Sequence, residues 1–179
     1  VLKPRSLLTD SGHIGMSSLR CREQVRRILT KEPPSDSPPR WTAMLGTYID
    51  EGVEAALRAS HPEWLYKINV AAELPSGTKI SGTCDWADPN EPSVTDLKSK
   101  ASLALARRTW ASERSYRFQR HLLYLGLIQQ HGFPEAGIVR NVVVDRSGRE
   151  PHPFVWQEQF SRDVIAEADW VLVILAMTS

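Results

Sequence analysis

The sequence predicts an α/β (α+β) fold, with a central mixed sheet of about five strands flanked by helices. Three observations predict it. Apolar residues recur every three or four positions over 41–60 and again within 101–131, the period of a helix with one buried face. Between and after these segments the period drops to two, and the runs are cut by clusters of Pro, Gly, Asn and Asp, as in strands joined by turns. The chain has 179 residues, 41% hydrophobic and 24% charged, which is material for one core, so a single domain over 1–179 is expected.

Each element has its own signal. Ser17 and Ser18 precede Leu19, Val25, Ile28 and Leu29, with Glu23 and Gln24 near the third helical position, which reads as a capped helix ending before Pro33. Pro33, Pro34, Pro38 and Pro39 make 32–40 an exposed loop. Trp41, Met44, Leu45, Tyr48, Ile49, Val53 and Leu57 line one face of a second helix that stops near 60–62. Ile68, Val70, Ala72 and Leu74 alternate into Pro75-Ser76-Gly77-Thr78, so a hairpin returns along 79–87, and after the loop 88–92 a third strand covers 93–99. One long helical stretch is expected over 101–131, with Phe118, Leu122, Leu125 and Gln129 as a stripe and Gly132, Phe133 and Pro134 as the stop. A strand at 138–144, a turn at Asp145-Arg146-Ser147-Gly148, a strand at 153–160 and a helix opening at Ser161 follow.

The formal charge is +1, so the whole-chain balance points to no polyanion, and any attraction for nucleic acid must come from local clustering. Cys21 and Cys84 are too few for a disulfide framework and lack the spacing of a zinc or iron-sulfur site, which fits a reducing cytoplasm. The longest apolar run, Trp170 to Met177, falls far short of the roughly 20 residues that cross a bilayer. No signal-peptide pattern opens the chain, and a soluble cytoplasmic protein is expected. Because it begins with Val and ends in an apolar stretch, the chain is expected to be a fragment of a longer reading frame.

Strand alternation puts Asp96 and Lys98 on one face of the third strand and Leu97 on the other. Asp85 lies near the end of the preceding strand, across a loop, so the two carboxylates can converge at neighbouring strand ends. Such a set suits a hard cation such as Mg2+, or Mn2+, which prefers oxygen ligands. Asp85 and Asp96 would hold the ion, the Leu97 backbone carbonyl would add a ligand, and Lys98 would orient a water or neutralise developing charge, as hydrolysis of a phosphodiester requires. An Asp-Leu-Lys tripeptide on an exposed strand edge is also common by chance, so the surrounding motifs decide.

Ile80-Ser81-Gly82-Thr83-Cys84-Asp85 followed by Val94-Thr95-Asp96-Leu97-Lys98-Ser99 resembles the core of the PD-(D/E)XK nucleases, in particular the RecB-like and phage-exonuclease branches. Leu45-Gly46-Thr47-Tyr48-Ile49-Asp50 is similar to the family's first helix motif, which implies a metal-facing role for Asp50 where relatives often have His. Glu54, one turn on, is the competing ligand. Met16 to Arg22 is similar to the N-terminal Ser/Cys/Arg segment of many relatives. Tyr116 to Tyr124 resembles the helix after the Asp-x-Lys strand, in which a Gln precedes a Tyr; four residues separate Gln119 from Tyr124 where three are common, so Gln119 is the firmer site residue. The resemblance implies a restriction-endonuclease-like core, a Mg2+- or Mn2+-dependent active site and DNA as substrate, with the exonucleases of phage and mobile elements as the main group. The family's iron-sulfur variants need a late cysteine cluster that is missing here, so no cluster is expected.

From Lys98 to His121 the chain carries Lys98, Lys100, Arg107, Arg108, Arg114, Arg117 and Arg120 against Glu113 alone, a local +6. This is the signature of a phosphate track, with Trp110 and Tyr116 placed to stack on unpaired bases. His121 is read as a packing or hydrogen-bonding residue. Three functions stay open at this point: an exonuclease that processes DNA ends, an endonuclease on the same fold, and a DNA-binding module whose metal site has decayed.

Overall fold

A computed structural model describes residues 14–16, 41–109 and 114–177. Strand β1 (Ile14–Gly15) is followed by helix α1 (Trp41–Ser60), strands β2 (Leu65–Glu73), β3 (Lys79–Asp88) and β4 (Ser93–Lys100), and helices α2 (Leu103–Thr109) and α3 (Arg114–His131). Strands β5 (Ile138–Asp145) and β6 (Phe154–Gln159) and helix α4 (Arg162–Met177) come last. The expected helix at 17–32, the Pro-rich loop 32–40, Cys21 and Trp110 lie outside the described residues. The single helix expected over 101–131 is described as two, α2 and α3, with 110–113 outside the description.

The sheet is mixed and six-stranded, in the order β1-β3-β4-β5-β6 with β2 on the other edge of β3. The β2–β3 hairpin is antiparallel and closes through Pro75–Thr78, where Gly77 N donates to Leu74 O at 2.8 Å. β4 and β5 run parallel over their whole length, from Ser93 opposite Ile138 to Lys100 opposite Asp145. That pairing needs a crossover, and α2 and α3 supply it.

α3 lies across the face made by β2 to β5, with α4 packed beside it. Its residues from Phe118 to Leu127 are buried almost without interruption, so the helix is an interior one rather than the one-striped helix the sequence implied. Leu122, Leu123, Leu125 and Leu127 join Ile80, Cys84, Val94, Val139 and Ile165 in the main core. Each such side chain contributes about 1.5–3 kcal/mol of burial. Cys84 packs as a small hydrophobe, and burial pushes its thiol up to about 11, so it stays protonated. Gly132 ends α3 with a left-handed φ of 69°, the conformation that lets a helix stop without a Cβ clash.

Candidate active site

The outer edge of β3 is shared. Its start pairs with β1 at Ile80 and Ser81, and its end pairs with β4 at Trp86, Ala87 and Asp88. Continuing the β3–β4 ladder by one step would set Asp85 opposite Asp96, but pairing stops before it. The strands part there, and both carboxylates stand at the opening. Asp85 uses one oxygen to accept the Leu97 backbone N–H at 2.6 Å, which ties its side chain to β4.

Asp96 is 3% exposed. Lys98 Nζ sits 2.7 Å from each of its oxygens, Gln119 Nε2 from α3 donates at 3.2 Å, and Asn141 Nδ2 from β5 donates at 2.8 Å. Burial raises the pKa of the Asp96 carboxyl; Lys98 opposes the rise, while Asp85 and Asp50 add to it by repulsion. Three acids therefore feel one another at this spot. Lys98 points to Asp96 because residues two apart on a strand share a face.

α1 brings the third acid. A Cβ on Gly46 would lie 3.3 Å from Ser99 Oγ, so glycine lets the helix approach β4 closely, and Asp50 follows one turn later. Asp50 and Asp85 share a cation: Lys67 Nζ from β2 lies 2.7 Å from Asp50 Oδ2 and 2.6 Å from Asp85 Oδ1. Glu54 turns away and pairs with Arg58 at 2.7 Å. The structure thus gathers Asp50, Asp85, Asp96, Lys98 and Gln119 and leaves Glu54 outside.

Gln119 and Tyr124 separate as helical geometry requires, since five residues turn the helix by about 140° from one to the other. Tyr124 donates to the Pro134 carbonyl at 2.9 Å, on the far side of α3 from Asp96. Burial pushes its hydroxyl up to about 12, so it remains a donor.

Oxygen donors around a hard cation fit this arrangement. Asp50 and Asp85 already bracket one ammonium, and Gln119 Oε1 is buried without a hydrogen-bond partner beside Asp96, an acceptor that a metal-held water would satisfy. Among the described residues no three His, Cys, Asp or Glu side chains form a ready cage. Lys67 completes the Asp50–Asp85 pair, and Asp96 is held by Lys98, Gln119 and Asn141.

The basic segment is placed differently from the expectation. Arg120 is 2% exposed and points inward, donating to Asn141 Oδ1 at 2.7 Å and pairing with Glu158. Tyr116 is 1% exposed and accepts from Lys100 Nζ at 2.7 Å, so neither is available to phosphate or to a stacking base. Arg117 Nε reaches both Glu158 oxygens, at 3.0 and 3.1 Å. Arg114 pairs with Glu167, and Arg107 pairs with Glu150 at 2.9 Å. The difference has one physical cause: glutamates from β6, α4 and the 145–153 turn answer arginines that have few acids near them in sequence. Arg107, Arg108 and Arg114 are exposed.

Three residues of this neighbourhood escaped the sequence reading. Asn141 is fully buried in the register position opposite Asp96 and also joins it to Arg120. Its signal was a polar residue inside the apolar strand Ile138–Asp145. Glu158 gathers Arg117, Arg120 and His121; burial works against its charge, but the two guanidiniums, with the His121 ring beside them, hold its carboxyl down at about 2. Lys67 had no sequence signal beyond its place in the hairpin. His121 accepts the Ser161 N–H on Nδ1 at 3.1 Å and turns Nε2 to Glu158 at 3.2 Å, a packing role.

No family model matches the sequence, and no curated protein does. Solved structures do match. SSO0001 superposes with a TM-score of 0.61 at 17% identity, over 94% of this chain and 78% of that one. An alkaline exonuclease from Laribacter hongkongensis gives 0.62 at 11% identity, over 93% and 87%, and has also been solved in complex with dAMP. A phage-related exonuclease from Haemophilus somnus 129PT gives 0.56 at 12% identity, over 98% and 87%. At such identities the likeness is one of fold, and the chain carries the mixed α/β fold of these exonucleases.

Proposed function

We propose that this chain is a metal-dependent deoxyribonuclease that hydrolyses phosphodiester bonds, acting on DNA ends as an exonuclease. The observation that carries the proposal is the meeting of Asp50, Asp85, Asp96 and Lys98 where β3 and β4 part, on a fold shared with exonucleases. Asp50, Asp85, Asp96 and the Leu97 carbonyl would hold Mg2+ or Mn2+. A bound divalent ion would supply acidity to a water and charge to the phosphate oxygens. Lys98, 21% exposed, reaches from Asp96 toward the opening and is the donor that orients the nucleophile or meets the developing negative charge. Gln119 fixes Asp96 from the α3 side. Lys100, at the end of β4, and the exposed Arg108, on α2, are the cations assigned to the DNA backbone.

End-labelled linear DNA and closed circular DNA incubated with Mg2+, Mn2+ or EDTA test this reading. Metal-dependent loss of linear DNA alone is expected, with Asp96→Ala inactive yet still able to bind DNA. Nicking of circles identifies an endonuclease instead. Binding without cleavage in any metal identifies a decayed module, and full activity of Asp96→Ala removes the site assignment.

A further inference from the structure

We propose that Lys67 is a built-in counter-ion that occupies the cation position between Asp50 and Asp85, so that a divalent metal enters only by displacing it. This rests on the metal-dependent reading above. A lysine ammonium is a compact point charge with three donors, the side chain most like a small cation, and here it bridges one carboxylate from α1 and one from β3 at 2.7 and 2.6 Å.

The backbone is bent to put it there. Lys67 has a φ of 50°, the one non-glycine residue with positive φ among those described. Its neighbours pair normally across the hairpin, Tyr66 with Trp86 and Ile68 with Cys84, while the Lys67–Asp85 step is missing from the ladder. A left-handed residue inside a strand is unfavourable for any side chain with a Cβ and persists only where its surroundings hold it. The surroundings here are the two acids. Lys98 already serves Asp96, so the two lysines divide the three carboxylates between them.

Entry of metal is then an exchange of cations rather than simple addition. Two consequences follow: the metal-free protein is relieved of repulsion between Asp50 and Asp85, and its affinity for metal is reduced by the work of expelling Lys67.

Titration of the metal-free chain with Mn2+, followed calorimetrically and by the electron paramagnetic resonance of free Mn2+, tests the exchange. Lys67→Met removes the charge, and Lys67→Gly removes the charge while adopting a left-handed φ freely. Both are expected to bind Mn2+ about tenfold more tightly than the parent, equivalent to roughly 1.4 kcal/mol. Lys67→Met, which keeps the strained backbone, should also unfold at lower temperature in EDTA, and both variants should gain more from added Mn2+ than the parent does. Should Lys67→Met fail to fold, Lys67→Gly carries the comparison. Equal or weaker Mn2+ affinity in the folded variants overturns the role of Lys67. If instead the parent binds no Mn2+, or binds it equally well as Asp85→Asn, the metal-dependent reading itself is what fails.

Discussion

Replacing Arg120 by Met separates a buried structural cation from a phosphate contact, the two roles open to an arginine on a basic helix. The side chain is 2% exposed, and its guanidinium holds Asn141 and Glu158 together. Removing one partner of a buried pair costs about 3–5 kcal/mol, because the other is left charged and desolvated. Glu158 keeps Arg117 at 3.0 Å, so the lower end applies, about 3 kcal/mol. For a chain of this size that is a fall of roughly 6–12 °C in Tm, at about 2–4 °C per kcal/mol. Urea unfolding and thermal melts in EDTA measure the loss, and binding to a short oligonucleotide in Ca2+ at several salt concentrations measures any phosphate role. The expected result is a large loss of stability with the salt dependence of binding unchanged. A stable Arg120→Met whose salt slope is shallower by about one phosphate contact would refute the burial argument and restore the phosphate track.

Asp50→Ala should cost far more metal affinity and cleavage than Glu54→Ala, because Asp50 shares a cation with Asp85 while Glu54 is spent on Arg58; parallel Mn2+ titrations and cleavage assays decide, and the reverse order would exclude Asp50. The pH dependence of stability should carry two acid steps. His121 is buried and held neutral, its pKa brought down to about 4 from 6.5, so the folded state refuses a proton that the unfolded chain accepts. Its contribution, on the order of 3 kcal/mol, is complete above pH 6.5 and lost as pH falls toward 4. Glu158, held at about 2 against 4.5, contributes above pH 4.5 and loses that contribution as pH falls toward 2. Unfolding in urea across pH 7 to 4 should flatten in His121→Asn, which keeps an acceptor for the Ser161 N–H; an undiminished slope would show that other groups carry it.

The strands, the hairpin and the pair Asp85 and Asp96 were legible because their signals are local. Alternation places Asp96 and Lys98 together, and the Asp88-Pro89-Asn90-Glu91-Pro92 loop returns the chain so that Asp85 comes alongside. Asp50 was legible through Gly46, whose missing Cβ allows α1 its close approach to Ser99. The local excess of positive charge that includes Arg114, Arg117 and Arg120 predicts a phosphate track, and there locality fails. Glu158 and Glu167, which neutralise these arginines, lie between 38 and 53 residues further along the chain.

Local pattern carries the strands from β2 onward, their turns and the pairing of Asp96 with Lys98, since periodicity and turn chemistry act over a few residues, whereas Asp50 is implied only by the resemblance of its helix motif and strand β1 has no such signal. Which charges are answered is set by contacts between distant parts of the chain: Lys67 rather than solvent between Asp50 and Asp85, Arg120 turned inward to Glu158, and Asn141 beside Asp96. The reason is that Coulomb and hydrogen-bond energies depend on separation in space and on burial, and neither quantity exists until the sheet has brought distant strands into register.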